Sequence, residues 1–442
     1  MKFNILYRAM GAALLCGFFA LNVHGMTLEE SVAQAIDQNP RVSGQYARYV
    51  SVLKDKRAAF ADYLPQVQLY AGIGYSDIDY KQNNKIESET NPQQLGVRLS
   101  QMLFDGFRTP AEVSRLGYEA EAARLQLISE AENVALEVAQ SYLNVLKAAA
   151  QVELSERNVI DHQSIFEDIQ TRHQKGLSSD SDLAQVASRV ATSRSALAAA
   201  RNNLYDMQAV YFHLVGTNPE ALTIPKADAN IVPDNLELAL QKAISAHPEI
   251  RSAISDTQAA NEQYNRDKSG YWPTLSIDVE AYDNDDMGGI EGPDDDARVM
   301  LNLKYDLYSG GRTTAQAESA LWRKEAALAV RMRTERQVVE GTKFAWNASE
   351  FLQQQIDFYQ QNVEMAVKAE QGYNEQFKLG RRSLLDVLDA KVEVFIARRS
   401  YLNSYYDHKA AQYRLLNAVG ELLTSMRVDT PSQWQANAEV AQ

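Results

Sequence analysis

Residues 297–313 read ARVMLNLKYDLYSGGRT. Val299, Leu301, Leu303, Tyr305 and Leu307 alternate with Met300, Asn302, Lys304 and Asp306. A period of two sends successive side chains to opposite faces, so this is a strand with one apolar and one polar face. Three other stretches repeat the pattern. Val67, Leu69, Ala71, Ile73 and Tyr75 form one apolar set, Leu95, Val97 and Leu99 a second, and Leu275, Ile277, Val279 and Ala281 a third. Such strands fit the edge of a soluble sandwich with its apolar face on a core. They also fit a membrane β-barrel, with apolar residues toward lipid and charges toward a wet lumen. Two hairpins cannot close a barrel alone, so the membrane alternative requires several chains.

The strands belong to a duplicated unit. LEESVAQAIDQNPRV, starting at Leu28, matches LELALQKAISAHPEI, starting 208 residues later at Leu236. Pro40 matches Pro248, and Tyr63-Leu64-Pro65 matches Tyr271-Trp272-Pro273, at the same offset. Arg108 with Arg312, Gly176 with Gly380, Asp182 with Asp386 and Gly216 with Gly420 then match at an offset of 204. Ordered matches with a single length change indicate a duplicated domain, not a solenoid. Residues 26–234 form the first repeat and 235–442 the second. Each reads as a first helix, a β-hairpin (about 66–104 and 274–308) and a long helical hairpin (about 109–216 and 312–420). Thr27 with Glu30 and Asp234 with Glu237 have capping-box spacing at the start of the first helices, which run to Pro65 and Pro273.

The helical hairpins are too long for a globule. Residues 111–175 contain no proline and only Gly117, and at 1.5 Å per residue they span about 100 Å. Gly176 and Gly380 are placed to end the outgoing helices. The return helix of the first repeat carries Leu183, Val190, Leu197, Leu204 and Tyr211 at sevens, with Val186, Ser193, Ala200, Met207 and Leu214 beside them. The second copy shows Val387, Val394, Tyr401, His408 and Leu415 with Ala390, Ala397, Ser404, Ala411 and Ala418. This is the pattern of antiparallel coiled-coil packing, and the small residues permit close approach.

Taken by themselves, the bulk numbers describe a soluble acidic protein of two or three domains. The chain has 442 residues, a net charge of −14 and one cysteine. Its mean hydropathy is −0.37. The acidic balance argues against nucleic acid, and one cysteine excludes a disulfide framework. Lys2 and Arg8 precede an apolar stretch over residues 9–21, as in a secretory signal peptide spanning residues 1–25. Cys16 lies within that stretch behind Leu15, which is unsuited to a lipoprotein site. Removal of the signal takes Lys2 and Arg8 with it and moves the net charge from −14 to −16. No later run approaches the roughly 20 apolar residues of a membrane helix, a test that does not bear on a barrel.

LFDGFRT at 103–109 and LYSGGRT at 307–313 carry an aromatic-acid/small-Gly-x-Arg motif where the second strand meets the long helix. Together with the Asn-Pro and His-Pro pairs and the turns KGLSSDSDLAQ and LGRRSLLDVLDA, it resembles the TolC family of outer-membrane channel proteins over essentially the whole mature chain. Gly106, Arg108, Gly310, Gly311 and Arg312 carry the motif; Phe107 replaces a glycine in the first copy. The resemblance implies a mixed α/β membrane protein and a homotrimer. Its 12-stranded β-barrel, four strands per chain, would sit in outer-membrane lipid and continue as a long α-helical coiled-coil barrel across the periplasm. It further implies a periplasmic adaptor and an inner-membrane transporter as partners, and export either of proteins by type I secretion or of small solutes by efflux. The turns at Gly176 and Gly380 would face the periplasmic mouth, and the residues after Gly216 and Gly420 would form a belt. No nucleic acid, cofactor, metal or enzymatic activity is implied.

The mouth holds the candidate site residues. Asp386 and Asp389 lie three apart on one helix face and match the family's constriction acids. Threefold symmetry would gather six carboxylates that attract cations. Arg382 matches an arginine that ties the closed mouth, and Asp182, with Asp180 near it, matches an acid of the closing network. Phe377 stands where the family has a tyrosine, so that hydroxyl bond is missing. On spacing alone, the acids are equally helix-start residues favoured by the macrodipole.

Other features attract weaker readings. Residues 283–296 carry seven acids and no base, and read as a solvated hairpin tip without calcium-loop spacing. Ser51 and Lys54 have an acyl-enzyme spacing inside a helix without companion motifs. Asn347-Ala348-Ser349 is a glycosylation pattern inside a helix. Six histidines lack ligand spacing. The rival to a conduit is a periplasmic coiled-coil adaptor or scaffold, which would lack the strand pairs and the duplication.

Overall fold

A computed structural model describes residues 25–80, 86–225 and 232–435. The signal segment lies outside these residues apart from Gly25. The first repeat runs α1 (Leu28–Gln38), α2 (Pro40–Phe60), β1 (Gln66–Ile73), β2 (Ser76–Tyr80), β3 (Ile86–Thr90), β4 (Gln93–Phe104), α3 (Arg108–Gln174) and α4 (Asp180–Val215). The second runs α5 (Leu236–Ala246), α6 (Pro248–Asp267), β5 (Thr274–Asp285), β6 (Pro293–Lys304), α7 (Arg312–Lys378), α8 (Leu384–Ala418) and the short α9 (Leu422–Ser425).

Two local readings are corrected. The first helix of each repeat is broken, not continuous. Asn39 is extended and its side chain accepts from Arg41 N, capping α2; His247 does the same for Glu249 N at the start of α6. Pro40 and Pro248 cause the break, because proline disfavours helix in the preceding residue while suiting the first helical position. The cap of α5 is Asn235, which accepts from Leu238 N, in place of Asp234.

The strands form one four-stranded antiparallel sheet in the order β1-β4-β5-β6, and β2 and β3 form a separate pair. The two hairpins therefore join through β4 and β5. Val67, Leu99, Val279 and Val299 stand in one row across the sheet, and Gln68, Arg98, Glu280 and Arg298 in the adjacent row on the other face. The apolar face is bare at both edges, Val67 being 68% and Val299 65% exposed; on the polar face Asp278 at the centre is 8% exposed, while Gln68 and Arg298 at the edges are open. A soluble sandwich would bury the opposite face. On the polar face Glu280 bridges Arg98 at 3.0 Å and Arg298 at 2.8 Å, and Asn302 donates to Asp278 at 2.6 Å. The Tyr282 ring lies over Gly96, where a Cβ would collide with it. The acidic stretch 283–296 is not all loop. Asp283 and Asp285 end β5, Asp294 to Asp296 begin β6, and Asp283 faces Asp295 directly.

α3 and α7 each have 67 residues, about 100 Å of helix. α3 packs along α4, and α7 along α8. Of the seam residues, Val186, Val190, Ser193 and Tyr211 are buried in α4, and Val387, Ala390, Val394 and Ala397 in α8. His408 on the α8 seam is half-buried, its Nδ1 3.1 Å from the Ser349 carbonyl oxygen. The main core lies midway along the helices, where α1, α2 and α9 wrap α3 around Val138, Tyr142, Leu416 and Leu422. Tyr211 and Ser31 share a 2.8 Å hydrogen bond there.

Candidate functional site at the helical tips

Both helical hairpins turn by the same device. Gly176 and Gly380 have φ of +69° and +70°, a left-handed conformation that glycine adopts without a Cβ penalty. Leu177 N donates to Arg172 O and Gly176 N to His173 O, and Arg381 N to Gln376 O and Gly380 N to Phe377 O, at 2.8–2.9 Å. These are Schellman motifs closing α3 and α7. The return helices then start with capping boxes. Ser179 Oγ accepts from Asp182 N while the Asp182 carboxylate accepts from Ser179 N; Ser383 and Asp386 repeat the arrangement.

The repeat-matched acids Asp182 and Asp386 are thus helix caps. Hydrogen bonds from the Ser179 side chain and backbone lower the Asp182 pKa, and those from Ser383 lower that of Asp386. Asp386 keeps its charge at any physiological pH. Asp180 pairs with His173 Nε2 at 2.7 Å. Arg382 remains within its own hairpin: it stacks on the Tyr373 ring at 4.3 Å, donates to Gln376 Oε1 at 2.9 Å and stands 3.8 Å from Asp386. Among the described residues of one protomer, no ion pair joins Arg382 to Asp182 or Asp180.

The hairpins are tied together by other groups. Ile169 of α3, Val186 of α4 and Leu384 and Leu388 of α8 form a buried apolar cluster, with Phe377 of α7 packed against it. The Arg172 guanidinium lies 5.3 Å from the Phe377 ring, so Phe377 meets a cation where a tyrosine would offer a hydroxyl. Arg189 of α4 donates to Asp389 of α8 at 2.7 Å. Sequence reasoning missed Arg189. The available signal was the repeat itself, which sets Arg189 against Glu393 and Gln185 against Asp389, giving the copies unlike charges at matched positions.

At the other end of α3 and α7 the motif residues shape the strand-to-helix junction. Gly106 has φ +69°, and a Cβ there would press on Ser269 O and Trp272. Phe107 takes the left-handed slot, φ +68°, that Gly311 fills at +82° in the second copy. That conformation costs a non-glycine residue about 1–2 kcal/mol. Phe107 makes edge contacts with Phe104 and Trp272. Asp105 accepts from Arg108 N and Thr109 N and so caps α3.

Comparison with known proteins follows the same lines. A family model described as outer membrane efflux protein matches residues 32–216 and again 239–421. The outer membrane efflux protein BepC of Brucella suis is 27% identical over 332 residues, covering 74% of this chain and 72% of that protein. The outer membrane protein TolC of Escherichia coli is 24% identical over 429 residues, covering 92% and 85%. The crystal structure of the outer membrane protein VceC from Vibrio cholerae has a similar fold, with a TM-score of 0.76 at 18% identity over 89% of this chain and 96% of that one.

Proposed function

The chain belongs to the outer membrane efflux protein family, and we propose that three copies of it form one conduit from the periplasm to the cell exterior. It is an outer-membrane channel protein, not an enzyme. In the proposed assembly, four strands from each copy close a 12-stranded barrel and the helices form a tunnel across the periplasm. The Gly176 and Gly380 turns form the inner mouth, which an adaptor and an inner-membrane transporter open for type I secretion or efflux. The observation that carries this reading is the inverted sheet. Val67 and Val299 of its apolar row are bare, Asp278 and Glu280 at the middle of its polar face are covered, and among the described residues β1 and β6 have no partner on their outer edges. Unpaired edges and a bare apolar face are untenable in lipid unless further copies close the sheet. An adaptor has no use for such a sheet.

The mouth is proposed to be closed within each copy by the apolar cluster around Leu388, the Arg172–Phe377 contact and the Arg189–Asp389 pair. Asp386 and Asp389 supply its negative charge. The test is conductance of the purified protein in planar bilayers. The double variant Asp386→Asn with Asp389→Asn retains an acceptor at the Ser383 cap and should lower cation selectivity and block by hexamminecobalt(III). Unchanged selectivity would remove the two acids from the mouth, whereas absence of any channel, or recovery of a soluble monomer from the periplasm, would refute the conduit. BepC is named an efflux protein. Comparing the secreted proteome with drug susceptibility after gene deletion separates secretion from efflux.

A further inference from the structure

The duplication brings the two motif arginines together. Arg108, at the start of α3, and Arg312, at the start of α7, line one open cavity of about 580 Å³ with Arg266 and Arg323. Arg312, Gln316, Ser319 and Arg323 follow one face of α7 and all line it. Arg266 is neutralised by Glu112 at 3.0 Å and Asp267 at 3.1 Å. Among the described residues, no carboxylate lies within ion-pair distance of the side chains of Arg108, Arg312 or Arg323. Arg312 lies in the first turn of α7, where Ser309 Oγ accepts from Thr313 N at 3.4 Å and Gly311 adds no side chain. Three unpaired guanidiniums around one cavity favour a multivalent oxyanion, since each presents a planar fork of donors.

The cavity's neighbour indicates where that anion comes from. Arg108, Ser269 and Gly270 also line an adjoining cavity of about 520 Å³. The wall of that second cavity includes Gln66, Ser100, Thr274 and Lys304 on the polar face of the sheet, and the acids Asp62, Asp105 and Asp306. If lipid covers the apolar face, the polar face belongs to the lumen, and the arginines are reached from water. We propose that Arg108, Arg312 and Arg323 form an oxyanion-binding collar at the junction of barrel and tunnel, which takes soluble phosphate- or carboxylate-rich solutes in transit. This rests on the conduit reading. It places an arginine-rich cavity at the base of the barrel, at the opposite end of the helices from the acids of the tips.

Tripolyphosphate is the probe, in planar bilayers, added to each side in turn. It should block the native channel, and Arg312→Gln with Arg323→Gln should raise the half-blocking concentration about tenfold or more. Hexamminecobalt(III) block should not weaken in that variant. Removing two charges elsewhere on α7, by Arg336→Gln with Lys343→Gln, should leave tripolyphosphate block unchanged. Equal loss in both variants would reduce the effect to a long-range field and overturn the collar, as would native block in Arg312→Gln with Arg323→Gln. Co-purified phosphatidylglycerol measured by mass spectrometry is the second arm. Loss of that lipid with unaltered tripolyphosphate block would assign the arginines to a membrane headgroup and likewise overturn it. A channel that conducts without any tripolyphosphate effect refutes the collar alone; a protein that forms no channel refutes the conduit.

Discussion

Asp389 shares its charge with a residue 200 positions away: Arg189 stands 2.7 Å from it and joins α4 to α8 near the tips. Such a half-exposed pair contributes no more than about 1 kcal/mol in one copy. Threefold repetition in the proposed trimer multiplies that contribution, and it falls on the two hairpins that must separate when a mouth opens. Arg189→Asp and Asp389→Arg should each raise uptake of a large antibiotic normally excluded, and the swapped double variant should restore exclusion. A swap that leaks like the worse single variant removes the pair from the closed state. The cap role of Asp386 was within reach of the sequence, because Ser383 and Asp386 have cap spacing. The Arg189 pairing was not, because it depends on how two hairpins pack. Glu132 was equally hidden. It is buried under α9, where it accepts from Leu422 N and Leu423 N at 3.0 and 3.2 Å. Burial raises its pKa from 4.5 to about 7, against those two hydrogen bonds and aided by Glu421. The folded protein therefore holds this proton up to about pH 7, while the unfolded chain releases it near 4.5. Stability is fully present below pH 4.5 and falls as pH rises toward 7, by roughly 3 kcal/mol at about 1.4 kcal/mol per pKa unit. Glu132→Gln should flatten that part of the pH profile in thermal unfolding, while leaving one of the Leu422 and Leu423 N–H groups without its acceptor. An undiminished difference between pH 5 and pH 8 in the variant would exonerate Glu132.

Among the elements, legibility followed the range of the interaction. Strand alternation, the heptads of α4 and α8 and the glycine turns are local periodicities, and they read directly from sequence. The Asn39 break carried a local signal too, the following proline, but the long helical pattern on both sides obscured it. The junction of β4 with β5 joins Val97 to Ala281, and the separate β2–β3 pair divides what reads as one hairpin. Neither follows from any window of sequence. α7 carries a second seam that the first obscured. Phe344, Phe351, Phe358 and Met365 recur at sevens, and all lie bare in the single copy, with Phe358 69% exposed. A stripe that extends this far along a helix is a packing surface for another helix, not scattered surface apolarity. In the proposed trimer, the neighbouring copy covers it. Phe351→Ser with Phe358→Ser should shift the detergent-solubilised protein from trimer toward monomer in light scattering while leaving the helical circular dichroism signal of the monomer intact. A trimer as stable as the native one would assign the stripe to another partner.

For the whole molecule, barrel closure reduces to two edges. β1 presents Gln66–Ile73 and β6 presents Pro293–Lys304, and among the described residues of one copy no strand pairs with the outer side of either. Each edge leaves a row of backbone donors and acceptors that lipid cannot satisfy. Within a copy the sheet is antiparallel throughout, and threefold symmetry would bring β6 of one copy against β1 of the next in the same sense. The strand pattern requires several chains on the membrane-barrel reading, and in the proposed trimer the closing pairs lie between copies. Cysteine chemistry can test it cleanly, because the chain's only cysteine, Cys16, falls in the segment read as a removed signal. Single cysteines at Val67, Leu69 or Ala71 should be combined in one chain with cysteines at Val299, Leu301 or Leu303, all on the apolar face. Directly opposed strand positions lie about 4.5–5.5 Å apart, within disulfide reach. Oxidation in native membranes should yield a covalent trimer for the combination whose register matches, and less for combinations one pair out of step. Cysteines on one strand alone should yield none. If no β1–β6 combination cross-links while the protein remains in outer membranes, the four-stranded sheets are not joined edge to edge.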